Sequence, residues 1–475
     1  MKKSKWLALA GVSLLSVGVL VACSSKSNTS SNTYNYIYTA DPETLDYLIS
    51  NKGSTTDAVT NGVDGLLEND KYGNLVPSIA KDWTVSADGL TYTYKLRKGV
   101  KWYTSDGEEY AEVTAKDFVT GLKHAADKKT ESIYLAKDSV VGLADYFNGT
   151  DKDFSKVGVK ALDDYTLQYT LKQPEPYWNS KMTYSLFWPV NEEFLKSKGD
   201  SFGKSTDPSS ILYNGPYILK SLTAKSSIEL AKNENYWDKK NVHFDGIKLS
   251  FYDASDQESL VRNFTDGAYS QARLYPTSSN FNSVEKQYKD NIFYTQPSAD
   301  IGGVGVNIDR QSYNHTSKKT DAEKDSTKKA LLNKDFRQSV NFAIDRTAYS
   351  AQLNGEKGAA LAVRNLLVKP DFVYAGDKSF GDLVTEKMPS YGDEWSGVNL
   401  KDSQDGLFNA DKAKTEFNKA KEALQAQGVQ FPIHIDYVVD QSSNALVQQA
   451  DSMKSSIEAA LGKDNVVIDV QKLST

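Results

Sequence analysis

At 475 residues the chain is long enough for two or three domains, and its formal charge of −6 argues against a protein built around a polyanion. A single Cys, Cys23, excludes a disulfide framework and leaves a zinc site of the usual kind without ligands, so stability must come from a packed core. The 28 Tyr and 7 Trp suit either core filling or a wet, aromatic-lined cleft.

The chain starts as an export signal. Lys2, Lys3 and Lys5 precede an apolar and small-residue run from Trp6 to Ala22, short for a membrane span. The run closes on Leu20-Val21-Ala22-Cys23, which resembles the bacterial lipobox, where the thiol receives a diacylglycerol and cleavage leaves Cys first. Residues 1–22 are expected to be a lipoprotein signal peptide, Cys23 the lipidated residue, and residues 23–33 a polar, flexible tether. Each buried methylene contributes about 0.8 kcal/mol of membrane affinity, so two acyl chains hold firmly where one would not. Without the three signal lysines the formal charge falls to −9, and no basic block stands out as a nucleic-acid patch.

Tyr34–Tyr38 predicts an opening strand, and Asp41-Pro42-Glu43-Thr44-Leu45-Asp46 turns the chain. Turn signals follow at Tyr72-Gly73-Asn74 and Pro77. Leu90, Tyr92, Tyr94 and Leu96 alternate with polar residues as a half-buried strand, bracketed by hairpin turns at Asp88-Gly89 and Asp106-Gly107. Thr114 is positioned to cap a helix with Asp117 in its first turn. Leu162–Leu171 reads as one more alternating strand, stopped by Pro174 and Pro176. Near the end, Asn409 caps a helix closed by Gly428. Phe431, Ile433, Ile435 and Tyr437 alternate in a strand. A helix from Leu446 to Leu461 and a strand from Val466 to Val470 follow. Strand, helix and strand at this length predict a parallel, right-handed crossover in a mixed α/β chain.

Tests for chemistry are negative. His124, His243, His315 and His434 form no metal-pair spacing, G-x-S-x-G is absent, and Gly302-Gly303-Val304-Gly305 does not match a phosphate loop. That glycine run predicts either a strand closely approached by another backbone or a flexible turn. No cofactor, metal or catalytic residue is expected.

Several segments together resemble the large solute-binding proteins of ABC importers for oligopeptides, dipeptides and nickel, solute-binding family 5. The most specific is AKDWTVSADGLTYTYKLRKGVKW from Ala80 to Trp102, followed by Asp106-Gly107 and by TAKDF from Thr114. Val159–Tyr177, Asn214-Gly215-Pro216-Tyr217, Asn233–Asp238 (NENYWD), Asp335–Arg346 and Asn409–Gln427 follow in the family's order. The style is closest to streptococcal oligopeptide-binding lipoproteins. Trp83 and Trp102 lie within a strand-turn-strand pattern and are expected to be structural.

The resemblance implies a two-lobed, periplasmic-binding-protein-like α/β fold (type II, with an extra subdomain): lobe I over residues 34–298 and lobe II over 299–475. It implies a monomer that encloses an extended oligopeptide by hinge closure, on the outer face of the cell membrane, for permease and ATPase subunits. By position, Thr39, Ala40 and Asp41, and Gly302, Gly303 and Val304, would face the ligand. The family continues past the point where this sequence stops, into a D-Y-x-[D/E]-P segment, so the second lobe is expected to be incomplete. That early stop motivates a second reading, a non-transporting adhesion or signalling lipoprotein with a vestigial cleft.

Overall fold

A computed structural model describes residues 32–253, 255–293, 301–441 and 443–473. Cys23 and the expected signal peptide lie outside the described residues. The chain divides into two compact units, one up to Ala272 and one from Arg273.

In the first unit β1 (Thr33–Tyr38) opens a sheet that later strands complete. A small hairpin joins β2 (Leu67–Asn69) to β3 (Leu75–Pro77). Its turn is the predicted one: Gly73 sits at φ 84°, and Asp70 Oδ1 accepts from the backbone N–H of Tyr72 and Asn74 at 2.8 and 2.9 Å. β4 (Ala80–Val85) and β5 (Thr91–Leu96) follow, with Gly89 at φ 72° between them. In β5 the apolar residues of the alternation, Tyr92, Tyr94 and Leu96, are buried. β6 (Lys101–Tyr103) and β7 (Glu109–Glu112) form the second hairpin, around Gly107. The helix α1 (Ala115–Asp127) starts in a capping box, with Asp117 Oδ2 accepting from Thr114 N–H at 3.0 Å. Trp102 is fully buried and donates its indole N–H to the same carboxylate at 3.0 Å, the structural role expected of it.

The run read as one strand from Leu162 to Leu171 is two strands. β8 (Val159–Asp163) and β9 (Thr166–Thr170) pair antiparallel across a turn in which Asp163 Oδ1 accepts from Tyr165 N–H at 2.8 Å. The Asp side chain imitates a backbone turn, and Leu162 is left 54 % exposed. The sheet order is β4-β5-β9-β8. Pro174 then packs against the Gly89 turn. The strands β10 (Tyr217–Thr223), β11 (Ser227–Lys232) and β12 (Gly246–Phe251) return to β1, which pairs parallel with β12, in the order β1-β12-β11-β10.

Two of the family-like motifs meet in a polar knot beneath these strands. Asn214 Oδ1 accepts from Asp64 N–H at 2.7 Å, and Asn214 and Gly215 donate their N–H groups to Gly62 O at 3.1 and 2.9 Å. Asn233 Nδ2 donates to Gly215 O at 3.0 Å, and the Tyr236 hydroxyl to Asp64 Oδ2 at 2.8 Å. A Cβ on Gly215 would lie 2.8 Å from the Gly62 carbonyl carbon, so the close approach needs glycine. Burial pushes the Asp64 carboxyl up to about 7; the Tyr236 hydroxyl opposes the rise, and Glu68 and Asp238 add to it.

The second unit packs helices α2 (Asp321–Leu332), α3 (Lys334–Ala343), α4 (Arg346–Ala359) and α5 (Ala410–Ala426) with a crossover. Asn409 caps α5 as expected, its Oδ1 accepting from Lys412 N–H at 2.9 Å. The crossover is β13 (Ile433–Asp440), α6 (Asn444–Leu461) and β14 (Val466–Leu473), and the strands pair in parallel from Ile433↔Val466. The predicted parallel unit is therefore present. Its core is Phe336, Phe342, Phe417, Ile433, Ile457 and Val466 with their neighbours.

The pH dependence of Asp64 follows from its raised pKa. Below about pH 4 it is protonated folded and unfolded; as pH rises through 7 folding must suppress or bear the buried charge. Its contribution to stability therefore falls across pH 4–7, by about 4 kcal/mol. Asp117, raised by burial to about 6, acts with the same sign. Asp64→Asn keeps an acceptor for Tyr236 and is expected to flatten this fall in denaturant titrations from pH 4 to 8. An unchanged slope would show that Asp64 is not the group responsible.

Candidate ligand-binding site

The carboxyl ends of parallel strands are where open α/β sheets bind ligands. In the first unit Thr39 and Ala40 leave the carboxyl end of β1 and are both exposed. Asp41 is half-buried and largely committed. Its Oδ1 accepts from the Tyr38 hydroxyl at 3.0 Å and from Lys225 N–H at 2.9 Å, and Oδ2 accepts from the same N–H at 3.1 Å. Lys225 lies at φ 49° in the turn between β10 and β11, so Asp41 holds down a strained loop.

Gly302, Gly303 and Val304 fall in the second unit, on an exposed stretch outside any helix or strand. The close backbone approach expected at these glycines is not found. A Cβ built on Gly302, Gly303 or Gly305 meets nothing within 4 Å, because the stretch pairs with no strand among the described residues. Val304 borders an apolar cavity of about 150 Å³ together with residues of α2, α3, β13, α6 and β14.

Just downstream, the chain from Arg310 to Lys318 crosses β13 at Asp436. The period-two reading put Asp436 on the polar face of its strand, yet its side chain is only 2 % exposed. Its Oδ2 accepts from Arg310 Nη1 at 2.6 Å, Lys318 Nζ at 2.7 Å and Thr316 Oγ1 at 2.7 Å. Its Oδ1 accepts from Gln471 Nε2 at 3.2 Å and Ser317 N–H at 3.3 Å. Burial alone would raise this carboxyl; the bonds from Lys318, Thr316 and Arg310 outweigh it and bring it down to about 2. Asp469 stands opposite Asp436 in the register and bonds His434 Nδ1 at 2.8 Å and the Ser317 hydroxyl. Ser317 thus bonds the acid and not the histidine, so no nucleophile–base relay is assembled. Among the described residues no group of three His, Cys, Asp or Glu is placed to hold a metal. Sequence reasoning missed this cluster because its partners come from segments more than a hundred residues apart, and no local pattern marks them.

The model of the bacterial extracellular solute-binding proteins, family 5, matches residues 74–473. The chain belongs to that family. It is 69 % identical over 478 aligned positions to the oligopeptide-binding protein AmiA of Streptococcus pneumoniae, covering 100 % of this chain and 72 % of AmiA. It is 62 % identical to the oligopeptide-binding protein SarA of Streptococcus gordonii, covering 100 % of this chain and 73 % of SarA. The fold is that of Listeria monocytogenes OppA bound to peptide, with a TM-score of 0.64 at 22 % identity over 94 % of this chain and 77 % of that one. The expected α/β class and family are therefore as the sequence indicated. Among the described residues no helix is long and apolar enough to cross a membrane.

Asp436→Ala would leave the Lys318 ammonium, 1 % exposed, without its counter-ion, and is expected to destabilise the second unit by about 3–5 kcal/mol. Because the Asp436 pKa is lowered, its contribution is present above about pH 4 and is lost as pH falls toward 2. Acid titration of tryptophan fluorescence should show that loss in the parent and a weaker one in the variant. Equal stability of the two proteins at pH 7 would contradict the assignment.

Proposed function

We propose that this protein captures extracellular oligopeptides for an ABC importer, tethered to the outer face of the cell membrane by lipid on Cys23. The carrying observation is identity of 69 % along the whole chain to a protein named as an oligopeptide-binding protein. The receptor acts as a monomer, and the ligand lies extended, held chiefly through its main chain. Every peptide has the same N–H and C=O pattern, so affinity does not depend on sequence. Permease and ATPase subunits take the ligand from the receptor. No catalytic step, metal or cofactor enters this reading.

The geometry of the expected contact residues supports it. Thr39 and Ala40 are exposed at the carboxyl end of β1. Gly302 and Gly303 have open space where side chains would stand, and their φ angles do not require glycine. The absence of an internal reason for glycine leaves room for an incoming backbone.

Titration calorimetry with a defined peptide mixture, and mass spectrometry of ligand carried through purification, test the assignment. Peptides are the expected finding, and a non-peptide solute alone would overturn it. Gly303→Val is expected to weaken peptide binding at least tenfold with the melting temperature unchanged. Cys23→Ala is expected to release the protein from cells into the medium; retention on the membrane would refute lipid anchoring.

A further inference from the structure

Lys334, Arg337 and Gln338 stand one turn apart on α3 and so share one face of the helix. That face borders a cavity of about 490 Å³ within the second unit, with Tyr391, Trp395 and Leu407 on its other walls. The volume is in the range of small-molecule sites, and the walls combine aromatic rings with a few polar groups. None of the expected ligand-facing residues, Gly302, Gly303 or Val304, borders it.

The polar groups on α3 are incompletely matched. Gln338 is 7 % exposed; its Nε2 donates to Glu394 Oε1 at 2.7 Å, while its buried Oε1 meets no donor among the described residues. A buried acceptor left unpaired is costly, and native structures seldom leave one without a reason. Arg337 spends Nη1 on Leu331 O at 2.7 Å and pairs with no carboxylate among the described residues. Lys334, three residues before it, has Glu394 Oε1 at 3.7 Å, which offsets its charge in part. Two cations side by side on one helix face repel each other, and an anion between them removes the repulsion. The aromatic wall is already in place. Trp395 packs on Phe342 with ring centroids 5.2 Å apart, and Lys412 Nζ donates to Glu394 O and Ser396 O at 2.7 and 2.8 Å, so the backbone on both sides of Trp395 is tied to α5.

We propose that this cavity is a binding site for a small aromatic carboxylate that carries a ring N–H. The carboxylate pairs with the Arg337 guanidinium, with Lys334 at the rim. The ring lies against Trp395 and Tyr391. The N–H donates to Gln338 Oε1, which reaches it by a turn of the amide while Nε2 stays on Glu394. The site is separate from the peptide-receptor reading above and does not rest on it.

Titration calorimetry on the full chain tests the site, with indole-3-acetate as the probe. The expected dissociation constant is about 1 mM or tighter. Two relatives of the probe each lack one recognised group: 1-methylindole-3-acetate has no ring N–H, and indole-3-acetamide has no charge. Both are expected to bind about tenfold more weakly. Gln338→Met keeps the side chain's length and loses the acceptor, so it is expected to bind indole-3-acetate and its 1-methyl relative equally. Lys334→Gln, at a 60 % exposed position, is expected to weaken the probe about threefold with the melting temperature unchanged. No binding of indole-3-acetate, or equal binding of all three compounds by the parent, would overturn the proposal. So would displacement of the probe by tetra-alanine, which would put it in a peptide site instead.

Discussion

A carboxylate with 2 % of its side chain exposed is tolerable only when cations seal it, and Asp436 draws in two, from 118 and 126 residues away along the chain. Much of the second unit is positioned by that demand. The chain from Arg310 to Lys318 must lie across β13 for the seal to form. Where that segment ends, Thr320 and Glu323 make the capping box that starts α2. The same helix is tied back to the strand by the Thr327 hydroxyl, which donates to His434 O at 2.9 Å. One wall of the apolar cavity is therefore a consequence of one ion cluster. A hydrophobic replacement of similar shape would not specify where the segment crosses. The buried charges fix a register that apolar packing would leave open to slippage.

The first unit carries a buried ion pair within its family-like motifs, Lys181 Nζ to Glu175 Oε2 at 2.7 Å. The motifs are also joined by hydrogen bonds and ring contacts, because they touch. The guanidinium of Arg97, from the long run ending at Trp102, lies 4.3 Å over the ring of Trp237, and its Nε donates to Ser78 O at 2.7 Å. Asp117 joins Trp102 to the start of α1, and Asn214 joins the strand after it to the loop at Asp64. Removing any one member leaves a buried donor or acceptor without a partner, which costs more than the bond itself contributes. The signature that identifies the family is thus a signature of its scaffold. It says where the strands turn, and little about what is held.

That distinction explains what could be read from the residues alone. Elements whose pattern is local were legible: the alternation in β5, the cap at Thr114, the crossover from β13 to β14. The hairpin of β8 and β9 was not, because Asp163 supplies its turn through a side chain, and counting apolar residues in twos carries straight through such a turn. Asp436 is the opposite error, a polar residue on a polar face that tertiary packing buries. Periodicity reports which residues share a side, while burial is decided by partners elsewhere in the chain.

Several side chains with conspicuous chemistry are occupied. Asp41 holds the Lys225 turn, His124 Nε2 is 2.7 Å from the buried Asp46, His434 is bonded to Asp469, and Asp436 is sealed by Arg310 and Lys318. What stays unengaged at the expected contact positions is plain: Thr39, Ala40, Gly302 and Gly303. A receptor for extended peptides needs small residues, accessible backbone and a strand edge, because its ligand's constant feature is its own main chain. Such a site carries almost no chemical signature in sequence.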